Sequence, residues 1–251
     1  MKKSIQIIAT ALVMLFSNSA FGQNDTIYVI QDGVVLWKHA TSSLDSIIFY
    51  DPNPIDTTTN STITDADGNV YTSVTIGTQE WMVENLRTSK YSDGTAIPNV
   101  TDNDEWYDLS TGAWCHYDND NQYDTIYGKL YNWYAVNTSK LCPTGWHIPT
   151  DAEWTVLTDY LAANGHSGTE GKALKATSFG GTDDYGFLGL PGGSRFYPGG
   201  FGAIGGGGYW WSSSLSSTLD AWFRSLDYDN DSVSSHSLYK ENGISVRCLR
   251  D

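Results

Sequence analysis

The chain has 251 residues, with 14 Lys and Arg against 29 Asp and Glu and a formal net charge of −15. That balance excludes nucleic acid as a default partner, because phosphate backbones are gripped by Lys and Arg that displace counterions. Only 17% of residues are charged while 14% are aromatic, with 10 Trp and 25 Gly, so the chain has the bulky rings to bury that a disordered chain lacks; the length allows one or two domains.

Met1-Lys2-Lys3, an apolar run from Ile7 to Phe16 and the small residues of Ala20-Phe21-Gly22 read as an export signal over residues 1–22, cleaved before Gln23. The run is well short of the roughly 20 apolar residues that span a bilayer, so no transmembrane helix is expected in the mature chain. Without Lys2 and Lys3, 12 basic residues face 29 acidic ones, and the exported form carries −17. Residues 23–50 predict a small β unit: Thr26 to Ile30, a turn at Gln31-Asp32-Gly33, Val34 to Trp37, and later Ser46 to Tyr50. Its strand pair followed by Leu44 to Phe49 resembles a leader module of exported Bacteroidetes proteins. Residues 51–63, rich in Thr, Pro and Asn, predict an extended linker that could carry O-glycans.

From residue 64 onward the chain carries most of its Trp and Tyr but only one clear helix. Thr150 is placed to be its N-cap and Glu153 to close a capping box, with Trp154, Leu157 and Leu161 on one face. A second, shorter helical stretch is expected over Glu170 to Ala176. Beyond Phe179 the sequence turns Gly-rich and β-like, and Gly243 to Leu249 predicts a closing strand with Ile244, Val246 and Cys248 on one face. Few helices and many short strands predict an α+β class.

Motifs for chemistry are matched only in letters. Gly200-Phe201-Gly202-Ala203-Ile204-Gly205 spells a dinucleotide fingerprint without the βαβ context, and predicts a flexible loop. Gly168 to Ala173 fails as a P-loop. Asp65-Ala66-Asp67-Gly68-Asn69 and the Asp227, Asp229, Asp231 series alternate oxygen ligands but lack the Gly and Glu of an EF-hand. They read as turns and solvated acids; no cofactor is expected, with a different calcium geometry left open there and at Asp118 to Asp124. The His residues are scattered with no zinc spacing, and His147 is expected as a packed, hydrogen-bonded ring. Three Cys allow one bridge in three pairings. Cys142 before the helix and Cys248 in the last strand are favoured, leaving Cys115 a buried thiol; Cys115 with Cys142 is the alternative.

Several blocks of the sequence together carry a resemblance. They are Trp81 to Arg87, Tyr127 to Val136, Cys142-Pro143-Thr144-Gly145-Trp146-His147-Ile148-Pro149-Thr150-Asp151-Ala152-Glu153-Trp154, Leu190 to Arg195 and Val246-Arg247-Cys248. In order over residues 64–251, they resemble the Fibrobacter succinogenes major paralogous domain. The resemblance implies an exported protein of the Bacteroidetes and Fibrobacteres and implies no reaction. The Ile148 to Trp154 block and the closing Gly243 to Arg247 are remotely similar to formylglycine-generating enzymes. That similarity implies a C-type-lectin-like fold: a compact α+β unit of short strands, one main helix and long loops. The copper-binding Cys pair of those enzymes and the calcium motifs of sugar-binding lectins are missing from the sequence.

The function expected on these grounds is an exported, non-catalytic binding or adhesion module, extracellular, on the cell surface or periplasmic, for a glycan or a surface protein. Candidate ligand-binding rings are Trp106, Trp114, Trp210, Trp211 and Trp222, since aromatics in polar, Gly-rich surroundings can stack on sugars. The alternatives are an exported enzyme on a scaffold like that of the generating enzymes, motivated by Cys115 and His116, and a structural surface protein.

Overall fold

The computed structural model describes residues 63–251 throughout and, before them, strands at 3–8, 26–31, 34–40 and 44–50. The chain divides into two units, Met1–Asn60 and Ser61–Asp251. In the first, β1 (Lys3–Ile8) pairs in parallel with β4 (Leu44–Tyr50), and β2 (Thr26–Gln31) pairs antiparallel with β3 (Val34–Ala40), Val29 opposite Trp37. β2 and β3 are the two β-branched runs that flank Asp32-Gly33. β1 lies within the segment expected to be removed on export. The rest of that segment, the Asp32-Gly33 turn and the expected linker through residue 62 lie outside the described residues.

The second unit is mixed α+β, built from small, mostly antiparallel sheets with few helices. It opens with β5 (Ile63–Thr64) against β6 (Val70–Tyr71), then β7 (Ser73–Ile76) against β8 (Gln79–Met82). The Asp65 turn joins the first pair, and its carboxylate is fully used. Oδ1 accepts the N–H groups of Asp67 and Asn69 at 2.9 Å each, while Oδ2 accepts the Asn69 amide at 2.8 Å and the Tyr71 hydroxyl at 2.6 Å. Asp67 in turn accepts from Ser89 and pairs with Lys90 at 3.1 Å. Donors of the chain itself therefore occupy the oxygens that a cation would need.

The middle of the unit is loop-rich. It contains α1 (Asn103–Tyr107), β9 (Trp114–Cys115), α2 (Asp124–Tyr127), β10 (Leu130–Tyr131), α3 (Trp133–Val136) and β11 (Trp146–His147). The long helix α4 (Asp151–Leu161) then starts at the expected cap. Thr150 Oγ1 accepts the Glu153 N–H at 3.2 Å, and Glu153 Oε2 accepts the Thr150 N–H at 2.8 Å. Two orphan donors at the helix start are thus satisfied reciprocally. Trp154, Leu157 and Leu161 are all buried, with Trp154 4.6 Å from Trp81 and Phe187 edge-on to both. α5 (Glu170–Leu174) follows, ending two residues short of the predicted limit because Lys175 leaves the helix in an extended conformation.

β12 (Gly192–Arg195) pairs with β13 (Phe201–Ile204), so the glycine-rich Gly200 to Gly205 stretch is a strand and its turn rather than the flexible loop its composition suggests. β14 (Gly207–Leu215), β15 (Asp220–Asp227) and β16 (Ser234–Tyr239) form a three-stranded antiparallel sheet. The unit closes with β17 (Leu249–Arg250), which joins β7, β8 and β11 in a four-stranded sheet. The run before it is more extended than regular. Gly243 bridges Arg195, Ile244 bridges Tyr131, and Ser245 bridges Trp210, so one chain segment touches three different neighbours. Ile244, Val246 and Cys248 point into one cluster, as their alternation requires. Arg247, on the other face, is buried as well.

Cys142 and Cys248 are disulfide-bonded across a separation of 106 residues, and Cys115 is free and buried. The Arg247 guanidinium donates to the carbonyls of Phe187 and Leu188 and to Asn85 Oδ1 at 2.9 Å, and lies 4.2 Å from the Phe187 ring. Asn85 also accepts the Trp210 indole N–H at 2.8 Å. A buried cation held by carbonyl dipoles and ring faces rather than by a carboxylate fixes several segments at once.

Candidate functional site

Four of the five candidate tryptophans are core residues. Trp106, Trp210 and Trp211 are at most 1% exposed and Trp114 is 8% exposed, so none presents a ring face to solvent. The physical reason is twofold. Burying 150–250 Å² of ring stabilises by about 4–6 kcal/mol at ~25 cal/mol per Å². Each indole N–H also finds a buried acceptor: Glu241 O, Ile97 O, Asn85 Oδ1 and Tyr131 O for Trp106, Trp114, Trp210 and Trp211 respectively. Trp210 and Trp211 point to opposite faces of β14, as strand alternation demands, but both faces are covered. Trp222 alone is half-buried, opposite Ser237 on β15. It is not brought together with the others.

Among the described residues the exposed aromatic rings are Tyr107, Tyr160, Tyr228 and Tyr239, together with Phe196. Tyr107 at the end of α1 and Tyr239 at the end of β16 are each 48% exposed. Tyr197 lies between them, with ring centroids 5.2 Å from Tyr107 and 5.3 Å from Tyr239, at interplanar angles of 33° and 57°. The three rings form a twisted, contiguous surface. The neighbouring Tyr107 phenol raises the Tyr197 phenol above its ordinary value. The backbone N–H of Tyr197 is held by Asn242 Oδ1 at 3.1 Å, and the Asn242 amide by the Tyr239 carbonyl at 2.9 Å. The Tyr197 loop and the end of β16 are thereby tied together behind their rings.

The segments that carry Tyr107 and Tyr197 also build an open groove of about 680 Å³. One wall is Thr101 to Asp104, a second is Asp118 and Asn119, and Gly199, Gly200 and Phe201 complete it. Asp102 caps α1, accepting the N–H groups of Asp104 and Glu105 at 2.9 and 3.0 Å. Asp118 and Asn119 both have positive φ, 53° and 55°, a conformation that Asn and Asp tolerate better than other non-Gly residues. Gly199 has φ of 104°, and a Cβ there would meet the Asn103 side chain at 2.6 Å. A side chain at that position would push the two walls apart.

Arg195 shapes the groove from beneath. It is fully buried, 4.3 Å from the Trp106 ring and 5.1 Å from Phe201. Its donors go to Gly199 O, Val100 O, Thr101 O, Asp102 O and Asn103 Oδ1, at 2.6 to 3.1 Å. One guanidinium therefore links the 100–103 wall to the Gly199 wall, a role suited to its planar fork of donors. Sequence reading missed this site because its tyrosines are distant in the chain. The local signal was the Arg195-Phe196-Tyr197-Pro198-Gly199-Gly200 loop, in which aromatics, Pro and Gly adjoin.

Elsewhere, protein cations reach into two of the loops weighed for calcium. Lys175, buried, places its ammonium 3.0 Å from Asp227 O and 2.9 Å from Asn230 O in the Asp227 to Asp231 turn. Asp124 pairs with Lys129 at 2.7 Å and lies 3.4 Å from His116. No group of three or more His, Cys, Asp or Glu able to hold a metal is found among the described residues. His147 is half-buried, and both its nitrogens meet carboxylates: Nδ1 is 2.8 Å from Asp251 and Nε2 3.0 Å from Glu153. Burial pushes the Cys115 thiol up to about 12, against the opposing influence of Arg195, so it is un-ionised at neutral pH. No helix among the described residues is long and apolar enough to cross a membrane.

These features define an α+β domain of short sheets, stapled by one disulfide and organised by buried cations. The chain belongs to the Fibrobacter succinogenes major domain family, whose model matches residues 74–250. Comparison with curated proteins and with solved structures gives no match.

Proposed function

We propose that the 61–251 unit is a non-catalytic carbohydrate-binding module of an exported protein, displayed outside the cell or in the periplasm on a C-type-lectin-like scaffold. The observation that carries this reading is the contiguous Tyr107, Tyr197 and Tyr239 surface beside an open polar groove built by the same segments. Tyrosine rings offer apolar faces for the C–H faces of sugars while their hydroxyls serve the sugar hydroxyls. The scaffold reading is supported by one main helix, many short strands, long loops and a bridge from before that helix to the last strand. Against the enzyme reading stands Cys115, the thiol that motivated it, which is buried and un-ionised.

A glycan array followed by titration calorimetry tests the proposal. Tyr107→Ala, Tyr197→Ala and Tyr239→Ala should each weaken binding of the array's best glycan about tenfold, roughly 1.4 kcal/mol, with the melting temperature little changed. An array without hits, or a triple Tyr→Ala variant that binds as the wild type does, refutes it.

A further inference from the structure

Resting on the carbohydrate reading above, we infer the charge class of the ligand: the groove takes uncharged glycan chains and rejects uronate-bearing or sulfated ones. The inference comes from where the cations and the free hydrogen-bonding groups lie. Among the described residues, Arg195 is the one Lys or Arg bonded to the groove walls, and it is not available to a ligand, because it is fully buried and its five hydrogen bonds go to protein oxygens. Lys240, which follows Tyr239, is also engaged, 2.6 Å from Thr218 O and 5.2 Å from the Trp133 ring. Among the described residues lining the groove, an anionic sugar would find no free cation.

What the walls do present is the opposite of a cation. Asp102, Asp104 and Asp118 are exposed on them. Between these acids are two amides with complementary groups to spare. Asn103 uses its Oδ1 on Arg195 and keeps its NH2, while Asn119 uses its Nδ2 on Thr101 O, at 3.0 Å, and keeps its Oδ1. One donor and one acceptor on facing walls suit the hydroxyls of a neutral sugar, which both give and receive hydrogen bonds. A carboxylate or sulfate in the same place would stand near like charges. At 4 Å in water each such encounter weakens binding about fivefold, and two or three make the discrimination tenfold or more.

The test uses matched ligands and the full mature chain. Neutral gluco-, manno-, galacto- and xylo-oligosaccharides are titrated, and each hexose oligomer that binds is compared with its C6-oxidised counterpart, which differs only in carrying carboxylates. The expected result is at least tenfold weaker binding of the oxidised chain at low salt. The gap should shrink in 0.5 M NaCl, where the screening length is only a few ångströms. It should also shrink in an Asp104→Asn/Asp118→Asn variant, in which Asn at 118 is compatible with positive φ. An oxidised chain that binds as tightly as its neutral parent overturns the charge assignment while leaving the carbohydrate reading intact. Failure of both charged and uncharged oligomers overturns the carbohydrate reading itself, and this inference with it.

Discussion

Replacing both bridged cysteines, Cys142→Ala with Cys248→Ala, removes a cross-link that closes a separation of 106 residues. In the chain-entropy model a loop of that size costs the unfolded state about 16 cal/mol/K, so the bridge contributes about 4.8 kcal/mol at 25 °C. Both sulfurs are buried, Cys248 at 0% and Cys142 at 5% exposure, within the cluster that holds Val246 and Ile148. Truncation there adds a small cavity cost of about 1 kcal/mol. For a domain of this size each kcal/mol moves Tm by roughly 2–4 °C, so a fall of about 10–20 °C is expected in a thermal melt followed by circular dichroism. Urea unfolding supplies the discriminating measurement. A cross-link acts on the unfolded chain, so the variant should show a larger m-value as well as a lower midpoint, because its unfolded state expands further. A Tm loss under 3 °C, or a large loss with unchanged m, would refute the entropic account of this bridge.

Two further outcomes follow from the buried thiol and the helix cap. Cys115 should resist iodoacetamide in the native protein at pH 8 and titrate as one thiol per chain in non-reducing denaturant; rapid native labelling would contradict its burial and raised pKa. Burial alone would raise the Glu153 carboxyl, but hydrogen bonds from the Thr150 N–H and hydroxyl and from His147 override it and hold the group below the usual carboxylate value. A depressed carboxylate stabilises above its unfolded pKa and loses that contribution as pH falls through the folded value. Glu153→Gln should therefore be less stable than wild type at pH 6 by about 0.3–1.5 kcal/mol. In urea titrations that difference should close between pH 5 and 3, and a constant difference would refute the assignment.

The parts legible in the sequence are those whose causes are local. The Thr150 and Glu153 box, the Trp154, Leu157 and Leu161 stripe and the alternation of Ile244, Val246 and Cys248 each follow from spacing within a few residues. The tryptophans were legible as residues to bury but not as to which would be buried, since that depends on acceptors such as Asn85 and Glu241 supplied from far along the chain. The blocks that carry the family resemblance prove to be internal supports: Asn85, Arg195 and Arg247 spend their polar groups inside the domain. Surface chemistry had no such marker. Tyr107, Tyr197 and Tyr239 meet only because Arg195 and Asn242 gather three separate segments, and a tyrosine in a loop carries no local sign of its neighbours.

The extended run from Gly243 to Cys248 also sets an order of events. It bridges Arg195, Tyr131 and Trp210, its carbonyls at Val246 and Cys248 accept the N–H groups of Leu86 and Met82, and it carries one half of the disulfide. Nothing made earlier in the chain can supply those contacts, so during synthesis the preceding residues lack them until this stretch arrives. The domain can complete its packing only once this last stretch is in place, and its bridge only where thiols are oxidised.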